Sequence, residues 1–504
     1  MKRIKTTVAT AAFAITAMAQ TINPVIPGFH PDPSVCRVGD KFYLVNSTFQ
    51  YFPGVPVFES TDMQHWTQIG NVLDRPSQLP LKGASSWLGI YAPTIRYNDG
   101  VYYMITTNVG NGGNFMVTAS DPRGPWSEPM WLEQQGIDPS LYFEDGKCYM
   151  VSNPDNTIML CEIDPNTGGQ LSPSKPIWRG TGGRYPEGPH IYKKDGYYYL
   201  LISEGGTEIA HKLTIARSRN IYGPYEGCPN NPIFTHCNMA GQTSQIQGTG
   251  HGDLVQGADG KWWITFLGFR FIGGSYHHLG RETFVLPVEW PKGGWPVING
   301  GKPAEVVGLS TAIANSCSTS FANIGHEFIH IQQPVEERYE HVGTALRLYC
   351  SKSTLTANEQ PTFIGRRMQN PIMTSTTKVD ATGLQPGDEV GMTLYQIHDG
   401  HSEIVMGRDN DGKYYLTVRH RIKSLEKEEP RKYIDTPCQY LRIQSTTPEM
   451  ITFLAGTTPD NMQQLGYIDA PLLSTEVVGG FTGTILGIYA TGKGYADFSF
   501  FDYR

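Results

Sequence analysis

GDKFYLVNST, residues 39–48, joins a tight turn to an aromatic strand, and four later stretches repeat this pattern. The other copies are DGVYYMITTN (99–108), DGKCYMVSNP (145–154), DGYYYLLISE (195–204) and DGKWWITFLG (259–268). Repeats spaced by roughly 45–65 residues each match one four-stranded blade of a β-propeller. The sequence therefore predicts a five-bladed β-propeller, and we expect its last blade to be closed by strands from both ends or by a similar contact.

One position in the repeat carries chemically active side chains. Eight or nine residues before the second residue of each turn lie Asp32, Ala92, Asp138, Glu187 and His251. Equivalent positions of propeller blades face the same end of a central channel, so we expect these residues to converge. Two or three carboxylates at the mouth of a funnel indicate acid–base chemistry on a sugar bond.

Prolines flank the three carboxylates. Asp32 lies in HPDPS (30–34), Asp138 in GIDPS (136–140) and Glu187 in RYPEGPHIY (184–192). Proline fixes its own backbone and disfavours helix at the residue before it, which suits a rigid strand start that presents a side chain. A single Asp-Pro is usually only a turn, but three carboxylates in register with a fivefold repeat favour a functional site.

The chain is too long for the propeller alone. It has 504 residues, and five blades use about 300 of them. A Gly/Pro-rich stretch at 290–303 ends the repeats, and later runs such as EVGMTLYQI and KYYLTVRHR alternate as sandwich strands do. We predict an all-β protein with a signal peptide at 1–19, a five-bladed β-propeller at 20–308 and a C-terminal β-sandwich of the concanavalin-like or jelly-roll type at 321–504.

The N-terminus reads as a secretory signal. Lys2, Arg3 and Lys5 precede a short apolar run at 8–17, and Ala17-Met18-Ala19 is a small-x-small cleavage site. We therefore expect an exported protein, periplasmic or secreted. No later stretch approaches the ~20 apolar residues of a membrane span. The net charge is −7 and no long basic run occurs, which argues against nucleic acid as a partner; the oligomeric state stays open.

The eight cysteines show no CxxC spacing, so a zinc site is not indicated. Cys228 and Cys237 share a loop and are candidates to pair after export, although spacing alone does not define connectivity.

Several motifs in combination resemble glycoside hydrolase family 43, and above all its two-domain β-xylosidases. In the first half they are HPDPS (30–34), FYLVNSTFQYFPGVPVFEST (42–61), GIDPS (136–140), YPEGPHIY (185–192), GTGHGDLV (248–255) and LGRETF (279–284). In the second half TALRLYCSKSTL (344–355), PTFIGRRMQN (361–370) and the last 22 residues resemble the appended sandwich. The resemblance implies a five-bladed propeller that hydrolyses glycosides with inversion.

The resemblance assigns a role to each carboxylate. Asp32 matches the general base, Glu187 the general acid, and Asp138 the residue that orients the acid and tunes its pKa. These roles fit the chemistry, because an inverting glycosidase needs one carboxylate to activate water and one carboxylic acid to protonate the leaving oxygen. A nearby carboxylate raises the pKa of the acid by like-charge repulsion.

The resemblance also implies the surroundings of the site. Arg281 matches an arginine that binds sugar hydroxyls, and Phe49 matches an aromatic of the pocket wall. His251 matches an axial histidine that holds a channel ion, Ca or Na, or a water network; no other cofactor is expected. Tyr91 stands where relatives often have tryptophan, and Trp87 either lines the pocket or supports it.

The sequence thus predicts an inverting exo-glycosidase that acts on xylo- or arabinoxylo-oligosaccharides. β-1,4-Xylosidase is the first hypothesis and α-L-arabinofuranosidase the second. A non-catalytic carbohydrate-binding protein is the third, and the intact set Asp32, Asp138 and Glu187 argues against it.

Overall fold

Five antiparallel sheets, one for each sequence repeat, form the first part of the computed structural model, which describes residues 21–239, 245–307 and 317–504. The first long strands of consecutive blades contact each other, and that of blade 5 contacts blade 1, so these strands surround a central axis. The predicted five-bladed β-propeller is confirmed. The predicted signal peptide lies outside the described residues.

The blades have the following strands. Blade 1 contains Ser34–Val38, Lys41–Val45, Gly54–Ser60 and Thr67–Leu73; blade 2 contains Gly89–Ile90, Thr94–Asn98, Val101–Val109, Gly113–Ala119 and Met130–Trp131; blade 3 contains Ile137–Glu144, Lys147–Asn153, Ile158–Ile163 and Lys175–Trp178; blade 4 contains Glu187–Lys194, Tyr197–Glu204, Lys212–Ser218, Glu226–Gly227 and Phe234–Thr235; blade 5 contains Ile246–Gln256, Trp262–Arg270, Glu282–Glu289 and Val297–Ile298.

In blades 2, 3 and 4 the inner hairpin follows from an Asp-Gly turn. Asp99, Asp145 and Asp195 have φ angles of 48°, 51° and 50°, and the glycine after each one also has a positive φ. Two successive residues with positive φ form the type I′ turn, whose twist matches that of the flanking strands and which favours Asp-Gly. The repeated turns therefore fix the register of the strands around the axis.

The propeller closes without exchanging a strand between its ends. All strands of blade 5 come from residues 246–298, and the N-terminal segment lies beside them. Val25 N donates to Thr283 O at 3.0 Å, and Val285 N donates to the Asn23 side-chain oxygen at 2.9 Å. The N-terminal segment therefore closes the propeller by pairing beside blade 5. This is the alternative to a blade shared by both ends that the sequence left open.

A buried ionic network joins the blades at the axis. Asp253 of blade 5 accepts from Arg96 of blade 2 at 2.8 Å, Ser34 of blade 1 at 2.7 Å and Tyr192 of blade 4 at 2.6 Å. Burial alone would raise the pKa of Asp253, but Arg96 and the other partners hold it well below its ordinary value. The network therefore holds an ionised carboxylate that ties four blades together.

The second domain is a sandwich of two antiparallel sheets. In spatial order the first sheet contains Tyr339–Val342, Ala345–Tyr349, Tyr495–Tyr503, Met373–Asp380, Cys438–Thr447, Met450–Thr458 and Asn461–Asp469, and Cys317–Ser320 pairs with the last residues of Tyr495–Tyr503. The second contains Tyr51–Phe52, Phe328–Ile331, Thr362–Arg367, Ile485–Thr491, Glu389–Ile397, Gly400–Arg408, Tyr414–Ile422 and Leu425–Glu428, with Lys432–Ile434 beside Tyr414–Ile422. The predicted all-β class and the sandwich are confirmed.

Helices are short in the described part of the chain. They are the 3-10 turns Cys237–Met239, Asn299–Gly301, Glu336–Arg338 and Ala470–Leu473 and the α-helix Thr475–Val478. No helix among residues 21–239, 245–307 and 317–504 is long and apolar enough to cross a membrane. The sandwich strand Cys317–Ser320 precedes the predicted start at 321.

The two domains share a sheet. Tyr51–Phe52, which follows the second strand of blade 1, pairs with the sandwich strand Phe328–Ile331. Around this junction Phe29 and Phe49 of the propeller pack in one buried cluster with sandwich residues that include Phe363. Because main-chain pairing and a common core cross the junction, the sandwich is held in a fixed position beside the propeller funnel.

The proposed pairing of Cys228 with Cys237 is wrong. The seven cysteines whose side chains are described are all free thiols. Cys228 is buried in the core of blades 4 and 5, and its main-chain N donates to Ile215 O at 2.9 Å. Cys237 instead begins a partly exposed 3-10 turn, so the two residues serve different local structures.

Candidate active site

The same backbone irregularity recurs where the first strand of a blade begins. The register shifts between Ile137 and Ser140, between Glu187 and His190, and between Gly250 and Asp253. The residues with positive φ at this position are Asp32 (53°), Asp138 (52°), Gly188 (57°) and His251 (45°). A bulge redirects a side chain, and a non-glycine residue in this conformation is strained and typical of functional sites. Three blades thus aim Asp32, Asp138 and His251 from equivalent places.

The sequence pattern places Glu187 at the position equivalent to Asp32 and Asp138, and this placement is wrong by one residue. Glu187 pairs with Ser203 just as Ile137 pairs with Asn153, so the structural counterpart of Asp138 is Gly188. A Cβ atom on Gly188 would lie 3.1 Å from the His251 ring, which leaves little room for a side chain. The carboxylate of blade 4 therefore comes from the residue before the strained position.

Asp32 is buried and hydrogen-bonded on both oxygens. Oδ1 accepts from Arg281 Nη1 at 2.8 Å, and Oδ2 accepts from Ser47 Oγ at 2.5 Å. Burial raises the pKa of Asp32, but Arg281, His251 and Ser47 together bring it below its ordinary value. Asp32 is therefore a carboxylate at neutral pH, and each oxygen keeps a lone pair that can accept a proton from water.

Asp138 has the opposite electrostatic environment. Its Oδ2 accepts from Gly188 N at 3.2 Å, which places it beside Glu187. Burial first, and then the charges of Glu187 and Asp32, raise the pKa of Asp138 well above its ordinary value. Two carboxyl groups that repel each other retain a proton between them at a pH where an isolated group would lose it. The site therefore combines an ionised carboxylate, Asp32, with a second carboxyl, Asp138, that keeps its proton.

Glu187 is the most open of the three carboxylates. Its side chain is 17% exposed to solvent, whereas that of Asp32 is 6% exposed. Its Oε1 lies 3.5 Å from His211 Nε2. A carboxyl at the edge of the funnel can reach a bound leaving group, and a buried one activates water behind it. This difference fits the predicted division between acid and base.

Arg281 links the propeller site to the sandwich. Besides Asp32 it donates to Thr207 Oγ1 at 3.1 Å, and its Nη2 donates to the main-chain oxygen of Phe481 at 3.3 Å. Its guanidinium carbon also lies 5.4 Å from the centre of the Phe49 ring and 5.7 Å from that of Phe481. Arg281 is thus held by both domains next to the predicted base.

An aromatic wall borders the site, and the sandwich supplies one of its rings. The Phe49 ring centre lies 5.0 Å from that of Tyr91 and 5.7 Å from that of Phe481, and Trp87 lies 4.7 Å from Phe481. The structure therefore brings the predicted aromatic residues together. Phe481 was missed from the sequence, where its only signal is the Gly-rich stretch GGFTG at 479–483.

Tyr91 and Trp87 form the outer part of this wall. Tyr91 Oη donates to the main-chain oxygen of Trp87 at 2.6 Å, so the tyrosine hydroxyl is committed to a structural contact. Burial and then the charge of Asp138 raise the pKa of Tyr91 to about 12, which keeps the hydroxyl protonated. Trp87 stays 45% exposed, and its free surface is available to a sugar ring.

His251 lies between the acid and base sides of the site. Its Nδ1 is 3.8 Å from Asp32 Oδ1, its ring faces Gly188, and its main-chain N donates to Ser203 Oγ at 2.5 Å. Burial lowers its pKa, which favours the neutral ring that can ligate a metal. No group of three His, Cys, Asp or Glu side chains that could hold a metal occurs in the described ranges. The channel ion at His251 stays a prediction.

Comparison with known proteins agrees with this geometry. The family model described as Glycosyl hydrolases family 43 matches residues 21–296, and one described as Beta xylosidase C-terminal Concanavalin A-like domain matches residues 319–504. The two matches divide the chain between the propeller and the sandwich, as the described strands do.

Three relatives match nearly the whole chain. A non-reducing end alpha-L-arabinofuranosidase from Bacteroides ovatus is 39% identical, over 96% of this chain and 94% of its own length. A xylosidase/arabinosidase from Butyrivibrio fibrisolvens is 38% identical, over 95% of this chain and 98% of its own. The crystal structure of a xylan beta-1,4-xylosidase from Bacillus halodurans superposes with a TM-score of 0.88 at 31% identity, over 96% of this chain and 100% of that one. The chain, a propeller with three convergent carboxyl groups joined to a concanavalin-like sandwich, belongs to glycosyl hydrolases family 43.

Proposed function

We propose that this protein is an inverting exo-glycosidase that releases terminal β-1,4-xylosyl residues from xylo-oligosaccharides. The observation that carries the proposal is the meeting of three carboxyl groups at one end of the propeller axis: ionised Asp32, Asp138 with its raised pKa, and the more open Glu187 beside it. Hydrolysis of a glycosidic bond with inversion needs a general base and a general acid in the same site. We also infer from residues 1–19 that the protein is exported.

Asp32 acts as the general base. Arg281 and Ser47 fix both of its oxygens and keep it charged, so it is oriented before a substrate arrives. It takes a proton from a water molecule that attacks the anomeric carbon on the face opposite the leaving group. The configuration then inverts, and the mechanism expects about 6.5–9.5 Å between base and acid.

Glu187 acts as the general acid and Asp138 supports it. The leaving oxygen takes a proton from Glu187 as the glycosidic bond breaks. Asp138 contacts Gly188 N, which fixes the backbone beside Glu187, and burial and the neighbouring charges raise the pKa of Asp138 itself.

Exo-action is inferred from the wall that crosses both domains. The rings of Phe49 and Phe481 both lie near the Arg281 guanidinium carbon, at 5.4 Å and 5.7 Å, so the sandwich adds a wall to the funnel beside Asp32. A pocket that encloses one sugar favours cleavage at a chain end. Arg281 also has donors suited to sugar hydroxyls, and its place beside Asp32 puts the terminal sugar over the base.

α-L-Arabinofuranosidase is the second candidate. Two of the three relatives described above have names that include arabinofuranosidase or arabinosidase activity. Tyr91, whose hydroxyl is bound to Trp87 O and whose pKa is raised by burial and by Asp138, gives the wall a smaller ring than tryptophan. A furanoside and a xylopyranoside differ mainly in ring shape, so the outline of this wall decides between them.

A direct comparison of substrates tests the proposal. We expect a higher kcat/KM for 4-nitrophenyl β-D-xylopyranoside than for 4-nitrophenyl α-L-arabinofuranoside, and release of single xylose units from xylotetraose. Asp32→Ala is the control for contaminating activity. The reverse order would select the arabinofuranosidase, and binding without turnover of either substrate would contradict an enzymatic role.

The stereochemistry is tested separately. Proton NMR during early hydrolysis of xylobiose should show α-xylose first at the newly released anomeric centre, since no glycosyl-enzyme forms. If β-xylose appears first, Asp32 is not a water-activating base and the inverting mechanism is wrong.

A further inference from the structure

His211 is a buried histidine that the mechanism has not used. It precedes the blade 4 strand Lys212–Ser218, and its exposed fraction is 0%. Its main-chain N donates to Glu208 O at 2.9 Å, and its main-chain O accepts from Thr235 Oγ1 at 2.9 Å. A Cβ atom on Gly250 would lie 2.4 Å from its ring, so the ring is pressed flat against a glycine of blade 5. The imidazole is therefore fixed in place.

The hydrogen-bond partner of Nδ1 defines the tautomer of His211. His211 Nδ1 lies 3.0 Å from Gly248 O, and a carbonyl oxygen only accepts, so Nδ1 carries the hydrogen. In the neutral ring Nε2 then has a lone pair and no hydrogen. Nε2 is buried and has no hydrogen-bond partner among the described residues, and it faces Glu187 Oε1 at 3.5 Å.

A second histidine nearby shows what a structural role looks like. His236 is equally buried, and its Nδ1 lies 2.9 Å from Ile246 O, which gives it the same tautomer. Its Nε2 accepts from Ala304 N at 3.0 Å. In His211 no described backbone group fills that place, and the predicted acid stands there instead.

We propose that His211 is a positioning residue that holds the acid proton of Glu187. Nε2 accepts a hydrogen bond from the protonated carboxyl, which closes the 3.5 Å gap by a small rotation of the partly exposed glutamate. A hydrogen bond to the neutral form of an acid favours that form. When a glycosidic oxygen reaches Glu187, it takes the proton in place of Nε2, and His211 itself gains and loses none. This inference rests on the proposed role of Glu187.

The test compares His211→Asn with His236→Asn. The asparagine amide can replace Nδ1 as donor to the carbonyl, and the position of Nε2 is left empty. For His211→Asn we expect kcat on xylobiose to fall by about 10- to 100-fold, part of the effect of general acid catalysis. An aryl xyloside with an acidic phenol should lose less than about threefold, and the alkaline limb of the kcat profile should move to lower pH. His236→Asn should lose thermal stability but keep the leaving-group dependence and pH profile of the wild type.

The Glu187→Ala background separates failure of this inference from failure of the proposed function. Adding His211→Asn to Glu187→Ala should change kcat on xylobiose by less than about twofold, because a residue that acts through an absent partner has no further effect. If Glu187→Ala itself shows no leaving-group dependence, the acid assignment fails. If it does, and His211→Asn slows both substrates equally or adds its full effect in the Glu187→Ala background, His211 is structural and the inference is overturned.

Discussion

Removal of the Phe481 ring tests whether the sandwich completes the sugar pocket. The ring lies 4.7 Å from Trp87, 5.7 Å from Phe49 and 5.7 Å from the guanidinium carbon of Arg281. An aromatic pair contributes about 0.5–1.5 kcal/mol, and a cation–π contact about 0.5–2 kcal/mol. Loss of one contact of each kind amounts to about 1–3.5 kcal/mol, so Phe481→Ala should lower kcat/KM by about 5- to 400-fold. The main-chain oxygen of Phe481 still accepts from Arg281, and the loss should therefore stay below that of Arg281 variants.

The assay is kcat/KM on xylobiose and xylotetraose, with thermal denaturation to show that the variant is folded. Tyr467→Ala is the matched control, because Tyr467 is an aromatic residue of the same domain that is 57% exposed and outside the wall. We also expect Phe481→Ala to release products longer than xylose from xylotetraose, since the pocket is open on one side. If the folded variant keeps kcat/KM within twofold of the wild type and releases only xylose, the sandwich does not complete the pocket.

Four further predictions follow from the same contacts. Glu187→Ala should lose about 10²–10⁴-fold on xylobiose but far less on an aryl xyloside with an acidic phenol, whereas Asp32→Ala should lose both activities; equal leaving-group sensitivity would reverse the two roles. Arg281→Met removes the cation that lowers the pKa of Asp32, so that pKa rises and the acidic limb of kcat/KM, which needs ionised Asp32, should move to higher pH; an unmoved limb in a folded variant would contradict the assignment of the base. Elemental analysis of the wild type and of His251→Ala should detect Ca or Na in the first only, and activity should fall after chelation of Ca; an equal content in both proteins would exclude His251 as the ligand. Truncation near residue 320 should give an insoluble or weakly active propeller, whereas a soluble fragment with full activity on xylobiose would show that the sandwich is independent.

Much of the fold was predictable because its signals are local. The Asp-Gly pairs of blades 2, 3 and 4 set type I′ turns, and the aromatic strands after them repeat with the period of a blade. Asp32 and Asp138 keep the same spacing from the turn of their blades, so the sequence alone could place them at one end of the axis. The sequence alone thus determined the propeller, the sandwich and two of the three carboxylates in register.

Contacts between distant segments decided the rest. Glu187 lies one residue before its expected place because Gly188 faces the ring of His251, which another blade supplies. Phe481 reaches Arg281, 200 residues earlier, only because Tyr51–Phe52 pairs with the sandwich and fixes the two domains side by side. The free nitrogen of His211 likewise depends on a carbonyl and a glycine of the next blade. Turns and strand patterns are encoded in neighbouring residues, whereas the acid, its surroundings and the pocket wall arise from packing across blades and domains, which no local pattern specifies.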